Sequence, residues 1–471
     1  MFQRKTAKWN RTLGAVSVVF LIAGSILTGC SVLETDSNLS SGISQAEVPH
    51  QQSTPNKAGL ESGALQTSDI ALEETGTSTR QISQSIFSFS SGYDYRPQTD
   101  NYDGLMTKEA KQLYRIIEER VYEISDQQHS AGYYSLGQIT MHGKISDDQI
   151  RMAITAFKND HPQVFWIANV YSKAYSENQT IVRLYSYVSA EECNRMIQEL
   201  NQEIKQILSH LEPGLSELDR EIVLFEQIAQ RCTYDTDAAK DPSLWKSYTI
   251  YGLLVDGKAV CEGYARSMQL LLSYADMECR LINGEAGGTI HMWNLVKVDG
   301  KWYHMDPTWN DEDAVVRYDY FNVSDAIIQK DHKPSVDVST MDAEEIEEYL
   351  STGTASYNLP MPVCNSDDAN YLKQKGVLIT SFNKASDVRV VEALVKAAKE
   401  KQPAVYLYIG EDMTYSMAIN QIFNSEPYKL ASYVEQANRK LDDEHQIRYE
   451  RITYILGENS RGITLKLAYD S

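Results

Sequence analysis

Residues 291–306 read His-Met-Trp-Asn-Leu-Val-Lys-Val-Asp-Gly-Lys-Trp-Tyr-His-Met-Asp. Two alternating runs flank Asp299-Gly300, and Asp-Gly at such a junction signals the two-residue turn of a β-hairpin. With that turn Val298 faces Lys301, which puts His304 opposite Leu295 and Asp306 opposite Trp293. His291 is then the diagonal neighbour of Asp306 on one sheet face, at a Cβ separation of about 7–8 Å or less. A slip of one residue would send the two to opposite faces. The register therefore predicts an imidazole and a carboxylate within hydrogen-bonding range.

Upstream lies Val260-Cys261-Glu262-Gly263-Tyr264-Ala265-Arg266. Tyr264, Ala265, Met268, Leu271 and Leu272 recur at helical spacing, so a helix starts at or just after Cys261. A cysteine there meets the positive end of the helix dipole and unfilled N–H groups, which favour thiolate. The same N–H groups can receive an oxyanion once sulfur attacks a carbonyl. Cys261, His291 and Asp306 thus supply nucleophile, base and orienting carboxylate. Taken singly, each has a plainer role: a buried structural cysteine, a strand histidine, a cap before Pro307. His304 is the competing base. His291 is preferred because it opens its strand after the Gly287-Gly288 loop, where a substrate can approach. A zinc set of Cys261, Cys279, His291 and His304 lacks CxxC or HExxH spacing.

The runs KAVCEGYARSMQLLL (258–272) and GGTIHMWNLVKVDGKWYHMDPTWND (287–311) resemble the transglutaminase-like superfamily, in particular bacterial cell-surface members, over about residues 216–340. The resemblance implies an α+β fold with a papain-like core, the cysteine helix packed on an antiparallel sheet. It also implies that Cys261 is the nucleophile, His291 the base and Asp306 the orienting carboxylate. Tyr251 is the candidate second oxyanion donor, with Trp245 and Tyr248 behind it, and Tyr318–Ser324 is expected as a strand and helix cap. The implied chemistry is attack on an amide carbonyl, a thioester intermediate, and acyl transfer to water (peptidase or amidase) or to an amine (protein-glutamine crosslinking). The alternative is a catalytically silent surface module that binds wall polymer or protein. No cofactor is expected; the acidic loop Asp311, Glu312, Asp313 could hold Ca²⁺ but reads as a solvated loop.

The surrounding chain gives the setting. Of 471 residues, 44 are basic and 65 acidic, for a net charge of −21, which argues against a nucleic-acid partner. Arg4, Lys5, Lys8 and Arg11 precede the apolar run Leu13–Leu27, short of the roughly 20 residues a spanning helix needs. That run ends in Leu27-Thr28-Gly29-Cys30, similar to a bacterial lipobox. Residues 1–29 are therefore expected as a lipoprotein signal peptide and Cys30 as the lipidated residue, anchored at the outer face of the cytoplasmic membrane. Residues 30–104 read as a disordered tether rich in Ser, Thr, Gln and Gly. The partners expected are this membrane and a protein or peptide substrate at the cell surface.

Residues 105–215 read as a mixed α/β segment. Helices are expected from Thr107 and at the capping signals Ser146/Gln149 and Ser189/Glu192, and strands at Val164–Ile167 and Ile181–Val188. Its Asp160-His161 pair resembles an acid/base dyad but reads better as a turn before Pro162. A helix opens at Ser216, and residues 216–340 carry the chemistry. Residues 341–370 read as a linker, and 371–471 as a small α/β domain without a site signature. No spacing dictates pairing among Cys193, Cys232, Cys279 and Cys364.

Overall fold

A computed structural model describes residues 66–67, 79–82, 95–96 and 98–469, apart from 130, 177, 310, 313–314, 352–356 and 427. The expected signal peptide, Cys30 and most of the tether lie outside the described residues. Among the described residues no helix is long and apolar enough to cross a membrane. They divide into two compact units, one ending at Ala369 and one spanning Asn370–Ser471.

In the first unit, α1 (Lys108–Arg120) buries the expected stripe Ala110, Leu113, Tyr114 and Ile117, with Thr107 as its cap. Strand β1 (Tyr134–His142) leads to α2 (Asp147–Asp160), which starts with the full Ser146/Gln149 capping box. Strands β2 (Ile167–Ser176) and β3 (Gln179–Ser186) form the next hairpin, and β3 pairs with β1. The strand expected at Val164 begins only at Ile167, because the turn at Pro162 is closed by a bond from Val164 N–H to His161 C=O. Helix α3 (Ala190–Leu208) is capped by Ser189.

Asp160 accepts the N–H groups of Asn101 and Tyr102 at 3.1 and 2.9 Å, capping the short helix Asp100–Gly104. Burial pushes His161 down to about 4 against the pull of Glu118. The pair is a structural turn.

Helix α4 (Glu217–Arg231) leads into the core. Helix α5 (Cys261–Tyr274), buried at every position, packs on an antiparallel sheet of β4 (Cys279–Ala286), β5 (Thr289–Val298), β6 (Lys301–Met305) and β7 (His332–Pro334). The sheet order is β6-β5-β4-β7. Hairpin β5–β6 has the register read from Asp-Gly, with Val298 facing Lys301 and Leu295 facing His304. This is an α+β fold, with the helix that starts at Cys261 packed on an antiparallel sheet as expected.

Residues 105–215 belong to the same compact unit as Cys261. Arg266 on α5 donates to the carbonyl of Lys158 (2.7 Å) and to Asn159 Oδ1 (3.1 Å), while Gln269 reaches the Asn159 carbonyl (2.9 Å). Residues 357–369, within the expected linker, pack on the sheet: Asn358 Oδ1 accepts from Asn283 N–H at 2.8 Å and Cys364 is fully buried. Tyr318–Ser324 is not a regular strand; Val323 alone bridges to His304.

The second unit holds β8 (Val377–Ile379), α6 (Lys384–Lys399), β9 (Ala404–Ile409), α7 (Lys429–Asn438), β10 (Thr453–Gly457) and β11 (Gly462–Lys466). Its sheet runs β8-β9-β11-β10, parallel at β8/β9 and antiparallel elsewhere.

Candidate active site

Cys261 is the first residue of α5, and the first bond inside that helix is from Tyr264 N–H to the Val260 carbonyl. No side chain caps this end, so the thiol stands beside helix-start N–H groups as the sequence predicts. Gly263 makes the placement sterically feasible: a Cβ there would lie 2.5 Å from the Ser247 carbonyl oxygen and 2.8 Å from Ala259 Cβ. Cys261 is in no disulfide, and neither are Cys193, Cys232, Cys279 and Cys364.

Across from it, His291 Nε2 lies 2.7 Å from Asp306 Oδ2. The Cys261 thiol is within hydrogen-bonding reach of the same imidazole, and Nδ1 is the ring nitrogen that Asp306 leaves to it. Burial pushes the imidazole down, but the charges of Asp306 and Cys261 outweigh it and raise His291 to about 10. Burial pushes Asp306 up, and the His291 charge with two imidazole hydrogen bonds carries it well below the usual carboxylate range. Both shifts describe one buried ion pair. The other carboxylate oxygen of Asp306 accepts the N–H groups of Thr308 (2.9 Å) and Trp309 (3.4 Å). The residue is therefore both a turn cap and an imidazole holder.

The two candidate bases differ. Trp293 Nε1–H donates to His304 Nδ1 at 3.0 Å, which obliges Nε2–H to donate to Asp325 at 2.8 Å. With both nitrogens engaged and the residue 1% exposed, His304 has no nitrogen left for a thiol. The four residues of the zinc set do not converge, for Cys279 Sγ accepts from Asn294 while His304 faces Asp325. In the acidic loop, Asp311–Glu312 pairs with Val315–Val316 and Asp313 lies outside the described residues.

The Tyr251 hydroxyl donates to Glu199 at 2.5 Å and its ring stacks on Phe165. Tyr248 donates to the Ala238 carbonyl, and Trp245 stacks on Tyr187 at 4.4 Å. Trp245 and Tyr248 instead line a cavity beside the first turn of α5, together with Lys158, His161, Glu262 and Arg266. Burial lowers Lys158 to about 8, offset in part by the Glu262 charge.

The sequence reading missed His332. It is fully buried, with Nε2 3.0 Å from Asp306 Oδ2, the oxygen that also receives His291. Gly284, on the strand between the two histidines, lets the Trp293 ring lie across the gap, where a Cβ would come within 2.6 Å of it.

Residues 205–307 match the sequence model of the transglutaminase-like superfamily. The kyphoscoliosis peptidase of Mus musculus is 25% identical over 111 residues, which make up 21% of this chain and 17% of that protein. The chain thus matches well under two thirds of that relative's length. A crystal structure of a TGase is similar at 16% identity and a TM-score of 0.23, over 39% of this chain and 55% of that one. A Cytophaga hutchinsonii protein described as a candidate cysteine protease is similar at 10% identity and a TM-score of 0.19, over 38% and 68%.

Proposed function

We propose that the chain is a thiol enzyme, lipid-anchored through Cys30 at the outer face of the cytoplasmic membrane, that acts on protein or peptide amides. The reading rests above all on the 2.7 Å pair of His291 and Asp306 with the Cys261 thiol in reach of the same ring. In the first step the Cys261 thiolate attacks the amide carbonyl carbon and a C–S bond forms. N–H groups at the start of α5 receive the oxyanion. His291 then gives its proton to the amide nitrogen as the C–N bond breaks, leaving a thioester and a free amine. Water or an amine attacks the thioester, His291 takes the attacker's proton, and the thiolate departs. Water as acceptor makes the protein a cysteine peptidase or amidase; an amine makes it a protein-glutamine acyltransferase.

The test compares turnover of peptide and glutamine-amide substrates by the full chain in detergent with that of Cys261→Ala, alongside iodoacetamide labelling against pH. Equal turnover by the two proteins would sink the reading. A thiol that titrates like a free cysteine would favour the silent binding module instead. For the anchor, the parent is expected in the detergent phase and Cys30→Ser in the aqueous phase; a parent found in the aqueous phase removes that part of the proposal.

A further inference from the structure

We propose that His332 is a positioning residue: an imidazolium held between Asp331 and Asp306 that lowers the basicity of His291 through the carboxylate oxygen they share. The inference rests on the triad reading above and concerns how that triad is tuned.

The hydrogens around His332 can be counted. His332 Nε2 lies 3.0 Å from Asp306 Oδ2, and its Nδ1 lies 2.7 Å from Asp331 Oδ1. The second oxygen of Asp331 accepts the Tyr320 hydroxyl at 2.6 Å. Ionised carboxylates only accept, so both ring nitrogens of His332 must carry hydrogen and the ring is a cation. Burial opposes that charge and the two carboxylates outweigh it, leaving the ring's proton affinity raised. Rings of Trp309, Tyr320 and Trp293 surround it at centroid distances of 4.8, 5.0 and 5.3 Å, so it has no alternative orientation that keeps both bonds.

The titratable groups facing His332 are Asp306, Asp331, Tyr320, His291 and His304, with Cys261 beyond His291. The two cationic rings, 5.7 Å apart, draw on one oxygen of Asp306 and repel each other. Each therefore weakens the other's hold on its proton. That matters for the chemistry, because a base that binds its proton too tightly is a poor acid toward the leaving amine. Asp306 alone would overstabilise the His291 imidazolium; the resident cation on the same oxygen counteracts this.

A purely structural His332 would steady Asp306 without moving the titration of His291, and His332→Gln separates the two roles. Glutamine can keep an N–H on Asp306 but carries no charge. The measurement is the rate of Cys261 alkylation by iodoacetate against pH, on the full chain in detergent. The anionic reagent needs the thiolate and is drawn by the His291 imidazolium, so the parent gives a bell whose upper limb reports His291. In His332→Gln that limb is expected to rise by about one pH unit, roughly a tenfold fall in the acid dissociation of His291. Asp331→Asn, which lets His332 become neutral, is expected to move the limb the same way and by less. Should the glutamine variant fail to fold, Asp331→Asn decides alone. A parental bell whose upper limb is unmoved or lowered in the folded variants overturns this inference and leaves the triad standing. A parent without a bell overturns the triad reading, and this inference with it.

Discussion

His291 bonded to Asp306 and His304 bonded to Asp325 use the same two side-chain types, with both histidines on one hairpin, at 2.7 and 2.8 Å. A cysteine stands near each: Cys261 by the first, Cys364 by the second, where Cys364 N–H donates to Asp325 at 2.9 Å. Only the outcome differs. Trp293 fills the second nitrogen of His304, and burial lowers that ring's affinity for a proton while pushing the Cys364 thiol up. His291 keeps a nitrogen for a thiol placed at a helix start. Reactive chemistry here depends less on owning a histidine, an aspartate and a cysteine than on which ring nitrogen the fold leaves open.

Equivalent substitutions in the two pairs should have unequal consequences. Cys261→Ala should cut amide turnover by roughly a thousandfold or more, whereas Cys364→Ala should leave the alkylation rate of Cys261 in place. Asp306→Asn should cost about a hundred- to ten-thousandfold in turnover, and Asp325→Asn less than about threefold; equal losses would erase the distinction. His304→Phe should instead cost about 1–3 kcal/mol in urea unfolding, because the buried Trp293 N–H loses its acceptor, with the Cys261 labelling profile unchanged.

A further expected effect is in pH dependence. Folding raises His291 from 6.5 to about 10, so its imidazolium stabilises the fold fully below pH 6.5 and ceases to do so as pH rises through about 10. The difference in Tm between parent and His291→Gln should shrink across that window. A difference that grows with pH would contradict the ion pair.

The hairpin and its diagonal pair were legible because Asp299-Gly300 fixes a register and a register fixes neighbours two residues away. Helix α5 was legible from periodicity. His332 was not, since its strand is three residues long, includes Pro334, and pairs with β4 rather than a sequence neighbour. Proline in so short a run reads as loop, although an edge strand tolerates it. The adjacent Asp331-His332 pair was the one available hint. Tyr251 was named from the family resemblance rather than from periodicity, and its hydroxyl is engaged by Glu199 on α3, a contact between residues 52 positions apart that no local pattern announces. The packing of residues 357–369 rests on single polar anchors such as Asn358, which have no periodic signature.

The bonds from Arg266 and Gln269 to Lys158 and Asn159 span 107 to 110 positions of the chain. Contacts between residues so distant in sequence close slowly, since much chain entropy is lost before they form. The helix that Cys261 opens is held in register by these contacts, which are expected to be among the last to form. During refolding, reactivity at Cys261 should return later than helical ellipticity, which makes the thiol an internal clock for completed assembly. The same bonds set a practical limit on dissection. A fragment begun at Ser216 would carry Cys261, His291 and Asp306 yet leave the Arg266 guanidinium with Glu262 alone of its present acceptors, and such a fragment should be markedly less stable than the intact chain.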